Sequence, residues 1–205
     1  MALPKSWKEI SIKKFLEIHT INEKIKDEFE REIHILACLD NLPYSDVEKF
    51  SVKKIKAQSA SLKWMGVLPK EKVPLSFRFN KNIFSTTILF EDMSAGQFID
   101  FVSICDGIKQ EELIYQIIHL IGSMVKRRKY KMTPPFIYSE YEGYDKYDFE
   151  NLPISIAYPL YVFFCKVLTN LSLSMPSYLK QITKNQMKKV REEIKKDLVS
   201  IGVGI

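Results

Sequence analysis

The stretch LSFRFNKNIFSTTILF, residues 75–90, interrupts an otherwise helical pattern and decides how the chain is read. Leu75, Phe77 and Phe79 alternate with polar residues, and Phe84, Thr86, Ile88 and Phe90 again fall at every second position. Alternation of aromatic and β-branched residues suits a half-buried strand. Asn80-Lys81-Asn82 lies between the two runs, and asparagine tolerates the positive φ of a tight turn. The spacing predicts a β-hairpin at about 74–90.

The segments on either side carry helical periodicity. Ser11 is a good N-cap for a first helix through Phe15, Leu16 and Ile18. Asn22 is read as opening a second helix with Ile25, Phe29, Ile33 and Leu36 inward, ended by Asn41-Leu42-Pro43. Ser45 and Glu48 have the spacing of a capping box, and Ser51 caps a helix with Val52, Ile55, Leu62 and Trp64. Beyond the hairpin, Ser94 caps AGQFIDFVSI (95–104), and a long helix is predicted from Gln110 to about Lys126. An apolar helix at 154–172 and an amphipathic basic helix at 176–200 complete the pattern. With only 7 Gly and 9 Pro in 205 residues, turn-forming residues are too few for a many-stranded sandwich. The expected fold is mainly α: one multi-helix, bundle-like domain over 1–205 with a single inserted hairpin.

A 46% hydrophobic content is ample for a core without metals or disulfides. Cys38, Cys105 and Cys165 are odd in number and sit in apolar runs, so they are read as small buried hydrophobes in a reducing compartment. The opening MALPKSWKEI has no apolar signal-peptide core, and no leader is expected. Residues 154–175 could span a bilayer by length, but Pro159 and the central Lys166 favour a buried helix. No membrane span is expected.

Enzyme chemistry finds little foothold. The chain lacks GxxxxGK[ST], and no GxGxxG follows a strand, so a phosphate cradle is excluded. His34 and Cys38 would share a helix face, but a zinc site needs two more ligands, and His19, His119, Cys105 and Cys165 show no paired spacing. His119 could meet Tyr115 and Ser123 at helical spacing, an arrangement that suits a satisfied core histidine better than a catalytic base. The expectation is a non-enzymatic protein with no cofactor and no metal.

The informative feature is a charge contrast. Lys126, Arg127, Arg128, Lys129 and Lys131 form a basic cluster, placed by this reading at a helix C-terminus where cations suit the macrodipole. YSEYEGYDKYDFE (138–150) follows, with Tyr138, Tyr141, Tyr144 and Tyr147 at every third position among five acidic residues. One account is a solvated helix end beside locally packed tyrosines. The other is a mobile docking arm at 130–150, whose tyrosines suit interfaces. Its acidic groups would meet the basic cluster of a neighbouring copy, giving a homo-oligomer. The final helix offers Lys184, Lys188, Lys189 and Arg191, either as a solvated surface or as phosphate contacts to DNA.

Several segments together resemble small virion and assembly proteins of tailed bacteriophages of Bacteroidota, particularly the crAss-like group. SWKEISIKKFLEI (6–18) is similar to the Trp–Ile–Thr/Ser opening of such proteins. NKNIFSTTILFEDMSAGQFIDF (80–101) resembles their strand–turn–strand followed by a GQ-[FY]-ID helix, and EELIYQIIHLI (111–121) and FENLPISIAYPLYVFF (149–164) resemble the helices that follow. The turn departs from the pattern, with Asn80-Lys81-Asn82 where glycine is usual. The resemblance implies a non-enzymatic structural or virion-assembly protein: portal- or tail-associated, packaged, or an assembly chaperone. It would be located in the virion and, during assembly, in the host cytoplasm, with other virion proteins as partners. By the same resemblance Trp7, Gly96, Gln97 and Asp100 are structural positions. The alternative function is a small helical nucleic-acid-binding protein using 126–131 and 180–196, which the net charge of +6 permits.

Overall fold

Ser11 caps the first helix as its sequence requires: its hydroxyl accepts from the Lys14 amide at 3.3 Å, opening α1 (Ile12–Lys24). The computed structural model describes residues 3–69, 72–89, 92–105, 110–133, 135 and 137–167. The chain divides into two compact units, Met1–Phe163 and Phe164–Ile205, and the first holds the sheet and the main hydrophobic core.

Asn22 does not open a new helix; it lies inside α1. The break falls at Ile25–Asp27, because the Asp27 carboxylate accepts from the Glu30 amide at 2.8 Å and starts α2 (Glu28–Asp40). Asn41 ends α2 in the left-handed region at φ 55°, the C-cap geometry asparagine accepts. The capping box expected at Ser45 and Glu48 is absent, since α3 (Tyr44–Val47) already begins at Tyr44 behind Pro43, and proline at the N-cap offers no side-chain acceptor. Ser51 caps α4 (Val52–Ser61), and a 3₁₀ turn at Lys63–Gly66 follows.

The hairpin is present as β1 (Ser76–Phe79) and β2 (Asn82–Thr86), antiparallel, with Phe79 paired to Asn82. The two turn residues, Asn80 and Lys81, both have positive φ (44° and 65°), the mirror-image turn whose twist matches that of the strands. Both strands are shorter than the alternation suggested, and Leu75 lies just outside β1 with two-thirds of its surface exposed.

The largest departure from the sequence reading is the size of the sheet. It has four antiparallel strands in the order β1-β2-β3-β4, with β3 at Val125–Tyr130 and β4 at Ile137–Glu140. The hairpin is therefore half of a sheet rather than a lone insertion in a bundle. Helix α5 (Ala95–Cys105) comes between the hairpin and β3. A reciprocal cap opens it: the Gln97 amide donates to Ser94 Oγ at 3.3 Å and the Ser94 amide to Gln97 Oε1 at 3.2 Å. The helix predicted from Gln110 to Lys126 is a 3₁₀ segment (Gln110–Gln116) and α6 (Ile117–Met124), and the chain passes directly from α6 into β3. The basic cluster is thus on a strand, not at a helix end. Pairing with β2 (Phe84 to Arg127, Thr86 to Val125) fills ladder donors and acceptors that a longer helix would have left to itself.

The core lies between the helices and one face of the sheet. Phe77, Phe84 and Phe149 are buried together, with ring centroids 5.5 Å apart for Phe77–Phe84 and 5.3 Å for Phe84–Phe149. Each buried ring contributes roughly 1.5–3 kcal/mol by area. Residues 149–154 tie the sheet to the N-terminus, since the Ile12 amide donates to Leu152 O at 3.0 Å and the Ile154 amide to Ile10 O at 2.8 Å. From 154 the chain is helical through 167, and Ile154, Ala157 and Leu160 are buried. No helix among the described residues is long and apolar enough to cross a membrane. The basic helix expected at 176–200 lies outside the described residues.

Candidate functional site

A strand sends successive side chains to opposite faces, so β3 divides the basic cluster in two. Arg127 and Lys129 share the inner face with buried Val125; Lys126, Arg128 and Tyr130 take the outer face.

On the inner side the cations are neutralised within the chain. Lys129 Nζ lies 2.7 Å from Glu140 Oε2 and 2.6 Å from Glu142 Oε1. Arg127 Nη1 lies 4.0 Å from Glu142 Oε2 and donates to the Tyr147 hydroxyl at 3.3 Å, while that hydroxyl donates to Glu142. The hydrogen bond from Lys129, followed by that from Tyr147, holds the Glu142 carboxyl below the usual glutamate range. Hydrogen bonds to Glu140 and Glu142 push Lys129 up, and burial followed by the bond to Glu142 pushes the Tyr147 phenol up. The acidic stretch thus meets the basic cluster inside one chain.

The four tyrosines do not share a face. Tyr138 sits on β4 with Lys131 Nζ 5.5 Å above its ring. Tyr141 donates to Asp100 Oδ2 and lies 3.6 Å from where a Cβ on Gly96 would stand; burial, then Asp100, raises its phenol far above the ordinary range. Tyr144 lies edge-on to His119 at 5.3 Å, and its carbonyl presses on Gly122. Tyr147 packs edge-on against Phe84 at 5.0 Å. Residues 141–147 therefore lie against α5, α6 and the sheet.

The outer face has a different composition. Register aligns Ser76, Ser85 and Lys126 in one row, Arg78, Ile83, Arg128 and Ser139 in the next, and Tyr130 and Ile137 in the third. Arg128 Nε donates to Ser85 Oγ at 2.7 Å, and Ser85 Oγ is 3.3 Å from Ser139 Oγ. Lys126 Nζ donates to the Asp92 carbonyl at 2.8 Å. Among the described residues, no carboxylate lies within 4.0 Å of the charged nitrogens of Arg78, Lys126 or Arg128. Tyr130 is 70% exposed.

Helix α5 offers a second surface. Gln97, Phe101 and Ile104 are buried on one side, yet Phe98, Ile99 and Val102 form an apolar stripe on the other, with Ile99 61% exposed and Val102 42%. Leu89 nearby in sequence is also exposed. A third feature is an apolar groove of about 610 Å³ lined by Phe15, Ile18, Leu62 and Tyr158, with His19 and Glu32 among its polar walls.

The chain matches no known family profile, curated protein or solved structure.

The other residues singled out by sequence have local roles. Trp7 donates from Nε1 to Val67 O at 2.8 Å and stands edge-on to Trp64. Gln97, fully buried, donates to Thr87 Oγ1 at 3.2 Å and to Ser123 O at 3.0 Å. His34 Nε2 lies 3.9 Å from Glu30 and its ring is against Tyr44. Cys38 is half-buried and donates to Glu17 Oε2 at 3.2 Å; burial, aided by that bond, pushes its thiol up to about 12, which makes it a poor nucleophile. Among the described residues no three His, Cys, Asp or Glu side chains converge to hold a metal ion. Lys184, Lys188, Lys189 and Arg191 lie outside the described residues. Arg78, Ser85, Tyr130 and Ser139 escape a reading of the sequence alone, because they join one surface only through the register of four strands. VKRRKY (125–130) shows no apolar–polar alternation, so nothing in that run distinguishes a strand from a helix end.

Proposed function

We propose that this chain is a non-enzymatic structural or assembly protein of a tailed bacteriophage particle, acting through protein–protein contacts. The observation that carries the reading is helix α5, apolar on both sides. A helix that is hydrophobic all round belongs in a buried setting. The inner side of α5 meets that condition within the chain, whereas Ile99 and Val102 remain on the surface. Covering the stripe with a second protein would remove its apolar area from water, as in the core of a protein interface. The resemblance of SWKEISIKKFLEI and the hairpin–α5 segment to phage proteins supplies the setting. Other virion proteins would be the partners, in the particle and, during assembly, in the host cytoplasm.

The test is quantitative mass spectrometry of purified particles and capsid or tail intermediates, with wild type compared with an Ile99→Glu/Val102→Glu variant. The expected result is the wild-type chain at fixed stoichiometry in particles or intermediates. The variant should be absent from them, with an unchanged circular dichroism spectrum. Absence of the wild-type chain from both, or normal incorporation of the variant, overturns the reading.

A further inference from the structure

We propose that the outer face of the sheet binds single-stranded nucleic acid, with Arg78, Lys126 and Arg128 as phosphate contacts and Tyr130 as a stacking platform. The division of charge by β3 is the starting point. Among the described residues, the acidic groups paired to the cluster, Glu140 and Glu142, act on Arg127 and Lys129. The outer cations keep their charge for something else, and carboxylate neighbours are lacking there among the described residues. Positive charge without internal compensation favours an anionic partner.

The form of the surface narrows that partner. Arg78 and Arg128 sit in one cross-strand row on β1 and β3, two strand spacings or about 10 Å apart, separated by Ile83. Arg128 is held by its Nε bond to Ser85, which leaves its two terminal nitrogens for the paired oxygens of a phosphate. Ser76 and Ser139 add exposed hydroxyls to the same face. Tyr130 stands beside these groups in the adjoining row with Ile137, both more than half exposed. A basic surface that tracks a backbone, with an aromatic ring and apolar side chains between cations, is the arrangement that takes unpaired bases. A duplex would bury its bases away from Tyr130, and an acidic protein surface has no need of a stacking ring. These features favour a single strand.

The experiment uses the full chain and a fluorescein-labelled oligothymidylate, with Kd read by anisotropy between about 25 and 200 mM salt, roughly the range where counterion release is measurable. Arg78→Ser/Arg128→Ser should raise Kd about tenfold or more and reduce the log–log salt slope by about 1.4, two lost phosphate contacts at about 0.7 each. Lys53→Ser/Lys56→Ser removes the same charge from exposed positions on α4 and should change Kd much less. Tyr130→Ala should weaken binding several-fold and Tyr130→Phe should restore it, because stacking needs the ring and not the hydroxyl. The Tyr130 pair carries the test if the arginine variant loses its circular dichroism melt. Four outcomes overturn the proposal: no binding at the lowest salt, equal loss in the two double variants, no difference between Tyr130→Ala and Tyr130→Phe, or competition by polyglutamate as effective as by unlabelled oligothymidylate.

Discussion

Lys129 Nζ lies 2.6 Å from Glu142 Oε1, joining the second half of the basic cluster to the acidic stretch that follows it in the chain. Both side chains are less than a third exposed, and Arg127 and Tyr147 converge on the same carboxylate. A network of this kind is stronger than an isolated surface pair.

The pair makes stability depend on acid. Glu142 titrates lower when folded than when unfolded, so its contribution is complete above the ordinary glutamate value of 4.5 and is lost as pH falls through its depressed value. Glu142→Gln should lower Tm by about 2–4 °C at pH 7. The two melting curves should draw together as pH falls through that depressed value, where both side chains become neutral. Thermal melts from acid to neutral pH check this; a constant gap between the curves would refute it.

Gly122 tests the docking of the tyrosine segment against α6. A Cβ there would stand 2.0 Å from the Tyr144 carbonyl oxygen and 2.8 Å from its carbon, both backbone atoms that cannot rotate away. Alanine is a better helix former than glycine by about 1 kcal/mol, but overpacking at such a contact costs about 1–3 kcal/mol or more. Gly122→Ala should therefore destabilise the fold and speed amide exchange at 141–147. Urea titration and hydrogen–deuterium exchange give the two readouts, and a stabilised protein with unchanged exchange would contradict the geometry.

Gln97 holds the start of α5 to the end of α6 and to the segment after β2. Its side chain donates to Ser123 O and Thr87 Oγ1 and accepts from the Ser94 amide, all at 3.0–3.2 Å. Gln97→Leu keeps the volume but leaves a buried carbonyl unpaired, which costs about 1–3 kcal/mol before the lost cap is counted. Urea denaturation should show a lower midpoint with an unchanged slope. Wild-type stability in this variant would mean that the site is not buried as described.

The helix starts were legible wherever one side chain decides the matter locally. Ser11, Ser51 and Ser94 each cap the helix they precede, and the hairpin turn is where its asparagine suggested. The start of α2 was misplaced because Asn22 and Asp27 are both plausible caps, and the choice rests on which one finds an amide. β3 was hidden for a different reason. Lysine and arginine suit the last turn of a helix, and only the partner strand β2, some forty residues away, makes VKRRKY extended. β4 depends in turn on β3. The candidate site inherits this difficulty: the basic cluster could be read in one dimension, whereas its separation into two faces needed the sheet.

The absence of any linker between Met124, the last residue of α6, and Val125, the first of β3, has a genetic consequence. One codon inserted at that junction would turn β3 over, exchanging Arg127 and Lys129 for Lys126 and Arg128 on the side facing the phenylalanines. Val125 would leave the core for the outer surface, and Tyr130 would turn inward, away from the surface it now shares with Arg78. The reading frame of this region should therefore accept substitutions far more readily than length changes by a single residue.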